Sequence, residues 1–279
     1  MFLMSLVLAT SSASAAAVHK VDPAGMCGGY SPCYSTISAA VTAAANGDTI
    51  NVWAGTYNEN VLISGFDDLH IVAADVPQPT LIGALDLGVG GAASLPSATV
   101  NGGASGYCFS VDASRDVSVI GFRMMNCPTG IQIFNSSDTV VEGNTIGGSV
   151  SMAIIDGSGV FSSRITGNTV VGASSIGILL RGSENGYVAD NRVSGSAIGM
   201  YVSGTYRSQI VNNRVATSGT LGVEVIGADE TRFERNTVVS SGTTNLDITS
   251  TSTNTSWVGN RVYGSWVDAG VGSAAADNN

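Results

Sequence analysis

Few side chains in this 279-residue sequence can do chemistry: two histidines, four cysteines, 11 basic and 21 acidic residues. The cysteines are Cys27, Cys33, Cys108 and Cys127. An even count in an exported chain points to two disulfides, with three connectivities open from count alone. Cys27 and Cys33 flank the loop Gly28-Gly29-Tyr30-Ser31-Pro32, which favours a local bridge. No C-x-x-C occurs, and His19 alone lies near a cysteine, so the spacing argues against zinc. His70, in the alternating stretch Leu69-His70-Ile71-Val72, has the chemistry of a general base, but a lone histidine in a strand is more often structural. Asp67-Asp68 just before it reads as a turn. Arg192, Arg214 and Arg261 each follow an Asn (Asn191, Asn213 and Asn260); they could bind an acidic glycan, although pairing with acids such as Glu234 and Asp190 is the plainer expectation.

The elements that position these groups follow from composition and repetition. Only 11% of residues are charged, 44% are hydrophobic, and 36 are Gly. Charged residues make up about a quarter of an ordinary domain, so Ser, Thr, Asn and Gly must provide the polar surface here. The formal charge of -10 has the wrong sign for nucleic acid. No run of about 18 apolar residues marks a membrane span, and such Gly content opposes a helical fold. Phe2 to Ala9 is apolar and Ala15-Ala16-Ala17 fits an A-x-A cleavage site, so residues 1–17 resemble a secretory signal peptide, although no Lys or Arg precedes the apolar run.

A motif recurs as Gly143-Asn144-Thr145-Ile146, Gly167-Asn168-Thr169-Val170, Asp190-Asn191-Arg192-Val193, Asn212-Asn213-Arg214-Val215, Arg235-Asn236-Thr237-Val238 and Gly259-Asn260-Arg261-Val262, in steps of 22 to 24 residues. A second motif precedes each Asn, as in Gly130-Ile131-Gln132-Ile133, Gly177-Ile178-Leu179-Leu180, Gly199-Met200-Tyr201-Val202 and Gly222-Val223-Glu224-Val225. The copies Met152-Ala153-Ile154-Ile155 and Asn245-Leu246-Asp247-Ile248 are looser. Between the two motifs lies a third alternating stretch, such as Thr139-Val140-Val141-Glu142. Three short strands per unit predict one coil of a solenoid. Asn suits a left-handed corner, and stacked coils about 4.8 Å apart let successive amides form a ladder. Thr36 to Ala45 places Ile37, Ala40, Val41 and Ala44 on one face of a helix, with Ser35 as its N-cap. This helix is expected to cover the open end of the solenoid. Cys108 takes the place of Gly130 one coil earlier, and Cys127 lies three residues before Gly130, so the two could meet between adjacent coils.

Ser35-Thr36-Ile37-Ser38-Ala39-Ala40, Gly47-Asp48-Thr49-Ile50 and Gly55-Thr56-Tyr57-Asn58-Glu59-Asn60-Val61 resemble the N-terminal segment of pectin-lyase-like proteins, and the G-I-x-I and N-x-V repeats resemble the same superfamily. The resemblance implies an all-β, right-handed parallel β-helix over residues 18–265, with residues 266–279 as a tail. It leaves function open, since the superfamily holds polysaccharide lyases, hydrolases, esterases, epimerases and adhesins. It also implies that the G-I-x-I strands form the substrate-facing sheet. Gln132 and Phe134 then face outward. One outward row reads Ser110, Gln132, Ile154, Leu179, Tyr201, Glu224 and Asp247; the next reads Asp112, Phe134, Asp156, Arg181, Ser203, Ile226 and Thr249. The coil carrying Asp156 is longer, which leaves its register open by one residue.

A lyase must remove the proton beside a uronate carboxylate and stabilise the resulting charge. Arg181 is expected to neutralise that carboxylate or act in the proton step, Asp156 to hold Arg181 or bind Ca²⁺, and Tyr201 to donate to the leaving oxygen. Asp112, Gln132, Glu224 and Asp247 are the expected substrate contacts. A merely solvated solenoid face is the competing reading. The N-T-D, H-G and R-I-K elements of polygalacturonase-like enzymes are missing, as are the acidic clusters of pectate lyases, and the one D-D pair, Asp67-Asp68, reads as a turn. The expectation is therefore an exported monomer, secreted, on the cell surface or periplasmic, without a membrane anchor. It would interact with extracellular polysaccharide, either as a lyase on acidic glycans, with Ca²⁺ as a possible cofactor, or as a non-catalytic adhesin or envelope component.

Overall fold

The computed structural model describes residues 15–74, 98–103, 106–148, 150–216, 218–239, 242–272 and 274–276. Most of the Gly-rich stretch Gly83 to Gly106 and of the apolar N-terminus lies outside them. Within them the chain winds as a right-handed parallel β-helix of three sheets with 12, 9 and 9 strands. Each coil contributes one strand to a linking sheet, one to the N-x-V sheet and one to the G-I-x-I sheet. In one coil these are Arg115–Ile120, Arg123–Met125 and Thr129–Phe134. Parallel pairing continues past residue 265: Trp266–Asp268 pairs with the strand holding Leu246 to Ile248, and Ala274–Ala276 with Ser256–Val258.

Alternation sends every second side chain inward, where it stacks on its counterpart in the next coil. In the linking sheet the inward column is Val119, Val141, Ile165, Val188, Ile210, Phe233 and Trp257. Each is at most 4% exposed. The Phe233 and Trp257 rings stack 3.9 Å apart. This continuous core stands in for the single packed centre of a compact domain.

The corners hold the second organising element. Asn144, Asn168, Asn191, Asn213, Asn236 and Asn260 are buried and form an amide ladder. Asn168 is representative. Its Nδ2 donates to Asn191 Oδ1 (3.0 Å) and to the Val141 carbonyl (2.9 Å), while its Oδ1 accepts from Asn144 Nδ2 (3.0 Å) and the Asn144 backbone N–H (2.9 Å). All four bonds of the amide are therefore made. The ladder Asn does not itself take the left-handed conformation. The preceding residue does: Gly143, Gly167, Asp190, Asn212, Arg235 and Gly259 all have φ between 52° and 65°. The Asn is thus selected for its buried amide rather than for its backbone.

The helix spans Ile37–Ala43 and buries Ile37, Ala40 and Val41. Its N-cap is Thr36 rather than Ser35: the Thr36 hydroxyl accepts from Ala39 N–H (3.2 Å). The Glu59 carboxylate accepts from Ile37 and Ser38 N–H (2.8 and 2.9 Å), placing negative charge at the helix start. Disulfides join Cys27 to Cys33 and Cys108 to Cys127.

Candidate functional site

The outer face of the G-I-x-I sheet carries the residues singled out by the repeat. Its main outward row is Ser110, Gln132, Ile155, Leu179, Tyr201, Glu224 and Asp247. Beside it run Asp112 and Phe134, and three coils on from Asp112, Arg181, Ser203 and Ile226. Ile155 and Leu179, each 8% exposed, make an apolar floor, and half-buried Tyr201 continues it. Tyr201, Glu224 and Asp247 sit on successive strands, so their backbones lie about 5 Å apart. Burial first, and then the Asp247 charge, raise the Glu224 carboxyl above its ordinary value.

Arg181 is exposed at the end of its strand and neighbours Ser203, which places it diagonally across from Tyr201. It makes no hydrogen bond or ion pair among the described residues. Gln132 donates to Ser110 Oγ (3.0 Å), and Asp112 accepts from Asn135 Nδ2 (3.0 Å). Three coils separate Asp112 from Arg181, about 14 Å, so the two do not meet.

Asp156 corrects the sequence register. It pairs with Ile133 and Leu180, faces the interior and has no exposed surface. Met152 pairs with Thr129, which puts Ala153 where the neighbouring coil has Gly130 and makes Ile155, not Ile154, the outward residue. A slip of one residue exchanges the two faces of a strand. Asp156 therefore reaches neither Arg181 nor Tyr201, and it presents no oxygen to a metal or glycan on the outer face. Its Oδ2 accepts from Ser163 Oγ (2.7 Å), while Oδ1 has no hydrogen-bond partner. Burial lifts its carboxyl to about 6, against the opposing pull of the Ser163 hydroxyl.

The N-x-V sheet sets Arg192 and Arg214 side by side on adjacent parallel strands, with Thr237 between Arg214 and Arg261. The pairings expected from sequence do not form. Glu234 binds Arg232 and Arg235, each at 2.9 Å, and Asp190 accepts from Asn212 (2.5 Å). Arg192 and Arg214 have no ion pair among the described residues. With Asp190, Asn212 and Thr237 they line a depression of about 270 Å³.

Three stacked parallel sheets and amide-lined corners define the class: a right-handed parallel β-helix. The chain belongs to the family described as periplasmic copper-binding protein (NosD), whose model matches residues 85–270. Together with the two disulfides, this makes it an extracytoplasmic protein. Among the described residues no helix is long and apolar enough to cross a membrane. No curated protein matches the sequence. Among solved structures, an alginate lyase from Paenibacillus sp. str. FPU-7 is similar at 13% identity and TM-score 0.63, over 94% of this chain and 99% of that one. XylC in complex with xylose gives 13% and 0.65, over 94% and 70%. PfbA, a surface adhesin of Streptococcus pneumoniae, gives 10% and 0.56, over 88% and 72%. At these identities the likeness is one of fold.

The family description raises copper, and the cysteines and histidines do not form a site for it. Copper sites draw on thiolate, thioether and imidazole. All four cysteines are in disulfides. His19 aligns with Ile50 and Ile71 in the inward register, whereas His70 aligns with Thr49 in the outward one, so the two imidazoles stand on opposite faces of the linking sheet. His19 is also engaged by Asp48 (2.8 Å) and Tyr34 (3.3 Å). Among the described residues no three His, Cys, Asp or Glu side chains group as a metal site.

Proposed function

We propose that the protein binds an acidic polysaccharide along the outer face of the G-I-x-I sheet. One observation carries this reading: Arg181, a guanidinium without a carboxylate partner among the described residues, lies diagonally across from half-buried Tyr201 on a floor made by Leu179 and Ile155. A pyranose ring packs on such an apolar and aromatic floor, while its carboxylate pairs with the guanidinium. Arg181 is one of six arginines without an ion pair among the described residues, and the one that stands beside this apolar floor. The Arg192–Arg214 pair on the next sheet offers a second contact for the same polyanion. Gln132, Asp112, Glu224 and Asp247 are the polar contacts along the row.

The catalytic form of this reading is a lyase. Arg181 neutralises the uronate carboxylate, Glu224 in its ionised form takes the proton beside that carboxylate, and Tyr201 gives its proton to the leaving oxygen as the carbon–oxygen bond breaks and the double bond forms. The non-catalytic form is an adhesin or envelope component that binds and does not cleave.

Calorimetry of the purified protein with pectate, alginate and a glycosaminoglycan, with and without Ca²⁺, tests both forms when ultraviolet absorbance of unsaturated product is followed in parallel. Binding that weakens at least about tenfold in Arg181→Ala is the expected result, equivalent to losing one charged contact. Binding without product selects the non-catalytic form. Absence of binding to all three polyanions overturns the proposal.

A further inference from the structure

A cleft of about 600 Å³ lies elsewhere, on the outer face of the linking sheet. Asp67–Ala73 and Arg115–Ile120 run side by side there, and His70 is directly in register with Ser118. His70 Nδ1 lies 2.8 Å from Ser118 Oγ, and His70 Nε2 lies 3.0 Å from Asp68 Oδ1. The side chains of Asp68 and His70 are both exposed on the outer face. Each ring nitrogen thus has one partner, and the partners fix the tautomer. A carboxylate only accepts, so Nε2 carries the hydrogen and Nδ1 is left to accept the Ser118 hydroxyl proton.

We infer that Ser118, His70 and Asp68 form a nucleophilic site that hydrolyses acyl esters. A serine hydroxyl is a poor nucleophile until a base takes its proton, and the base works best when a third group orients it. Ser118 Oγ attacks the ester carbonyl while His70 Nδ1 takes the hydroxyl proton. As the tetrahedral adduct collapses, the carbon–oxygen bond to the alcohol breaks and His70 returns the proton to the departing oxygen. Water then gives a proton to His70 and attacks the acyl-serine. Collapse releases the carboxylic acid, and Ser118 recovers its hydrogen from His70. Asp68 stabilises the imidazolium in both halves. Arg115 and the Asn46 side chain line the same cleft and are its donors toward a developing oxyanion. Arg115 is held by Asp67 through two bonds (3.0 and 3.2 Å), and Asn46 Oδ1 accepts from Asp67 N–H (3.1 Å), which leaves the Asn46 amide hydrogens to the cleft.

The substrate class follows from the rim. Asp116 and Asp138 also line the cleft, and like charge disfavours an anionic ligand. The fitting substrate is an acyl ester of an uncharged alcohol, such as an O-acyl group on a neutral sugar. This site shares no residue with the face proposed to hold acidic glycan, so either assignment can fail alone.

The test uses the whole protein with two probes, p-nitrophenyl acetate and a fluorophosphonate. The fluorophosphonate is expected to mark Ser118, as mapped by peptide mass spectrometry, and the mark is expected to vanish in His70→Ala. Hydrolysis of p-nitrophenyl acetate is expected to fall at least about 100-fold in Ser118→Ala and in His70→Ala, the scale at which loss of one member disables such a triad. Wild-type protein left unmarked at Ser118, or a Ser118→Ala variant that hydrolyses the ester at the wild-type rate, overturns the inference. Labelling is read on the wild-type chain, so it decides the matter even if a variant folds poorly.

Discussion

Two polar groups lie deep inside this solenoid under different terms. The ladder asparagines occupy a corner where the backbone of each coil offers a carbonyl and an N–H, and where the next coil offers an identical amide. Every donor and acceptor finds a partner, so burial costs little. Asp156 instead interrupts the aliphatic column between Ile133 and Leu180. One oxygen has Ser163; the other has no partner. A polar residue is well suited to this core when its chemistry repeats with the coil and poorly suited when it occurs once.

Breaking the ladder should give the largest effect. Asn191→Ala removes the acceptor for Asn168 N–H and Nδ2 and the donor to Ile165 and Asn213. Stranding these buried groups should cost about 4 kcal/mol, read as a lowered urea midpoint. Hydrogen exchange should show opening centred on that coil, because repeat arrays lose stability locally.

Asp156→Asn should act in the opposite direction and should depend on pH. The carboxyl rises from 3.8 unfolded to about 6 folded, so the folded state holds its proton more tightly. Its contribution is fully present below about pH 4 and is lost as pH rises through about 6. Subtracting wild-type from variant stability across this window should give a difference that grows to about 3 kcal/mol in favour of Asn at pH 8. A flat difference would mean that the carboxyl titrates alike in both states.

The smallest effect is expected outside. Arg207 Nε bonds Glu230 Oε2 at 2.7 Å, a shorter contact than any rung of the ladder, yet both side chains are largely in solvent. Arg207→Ala should leave the urea midpoint unchanged within error. A large shift there would show that distance, rather than satisfaction under burial, sets the worth of a polar contact in this fold.

The fold was legible because its signals are periodic. Asn at steps of 22 to 24 residues and alternation on both sides locate the strands of the coils between residues 130 and 263, whereas Trp266–Asp268 and Ala274–Ala276 fall in the segment read as a tail. Cys108 and Cys127 were legible for the same reason, since the position of Gly130 could be carried back one coil. The sites were less legible because they depend on local departures from the period. Asn144 and Asn168 are 24 apart, and nothing in that longer coil says whether Met152 or Ala153 takes the glycine position; the choice decides which way Asp156 points. His70 and Ser118 are 48 residues apart, with the Gly-rich stretch between them, so no repeat length predicts that they become neighbours. The arginines misled in a third way. Acids such as Glu234 and Asp190 were expected beside Arg192 and Arg214, whereas Glu234 is taken by its own sequence neighbours Arg232 and Arg235.

The amide ladder also has a sense. From Asn144 to Asn260 each Nδ2 donates to the next Oδ1 and never the reverse. Hydrogen bonds arranged head to tail polarise one another, so each rung is strengthened by those before and after it. The corner is therefore a string of aligned dipoles with an electron-rich start and an electron-poor finish. A rung removed from the middle does more than subtract its own bonds: it divides one long string into two short ones and weakens rungs it never touched.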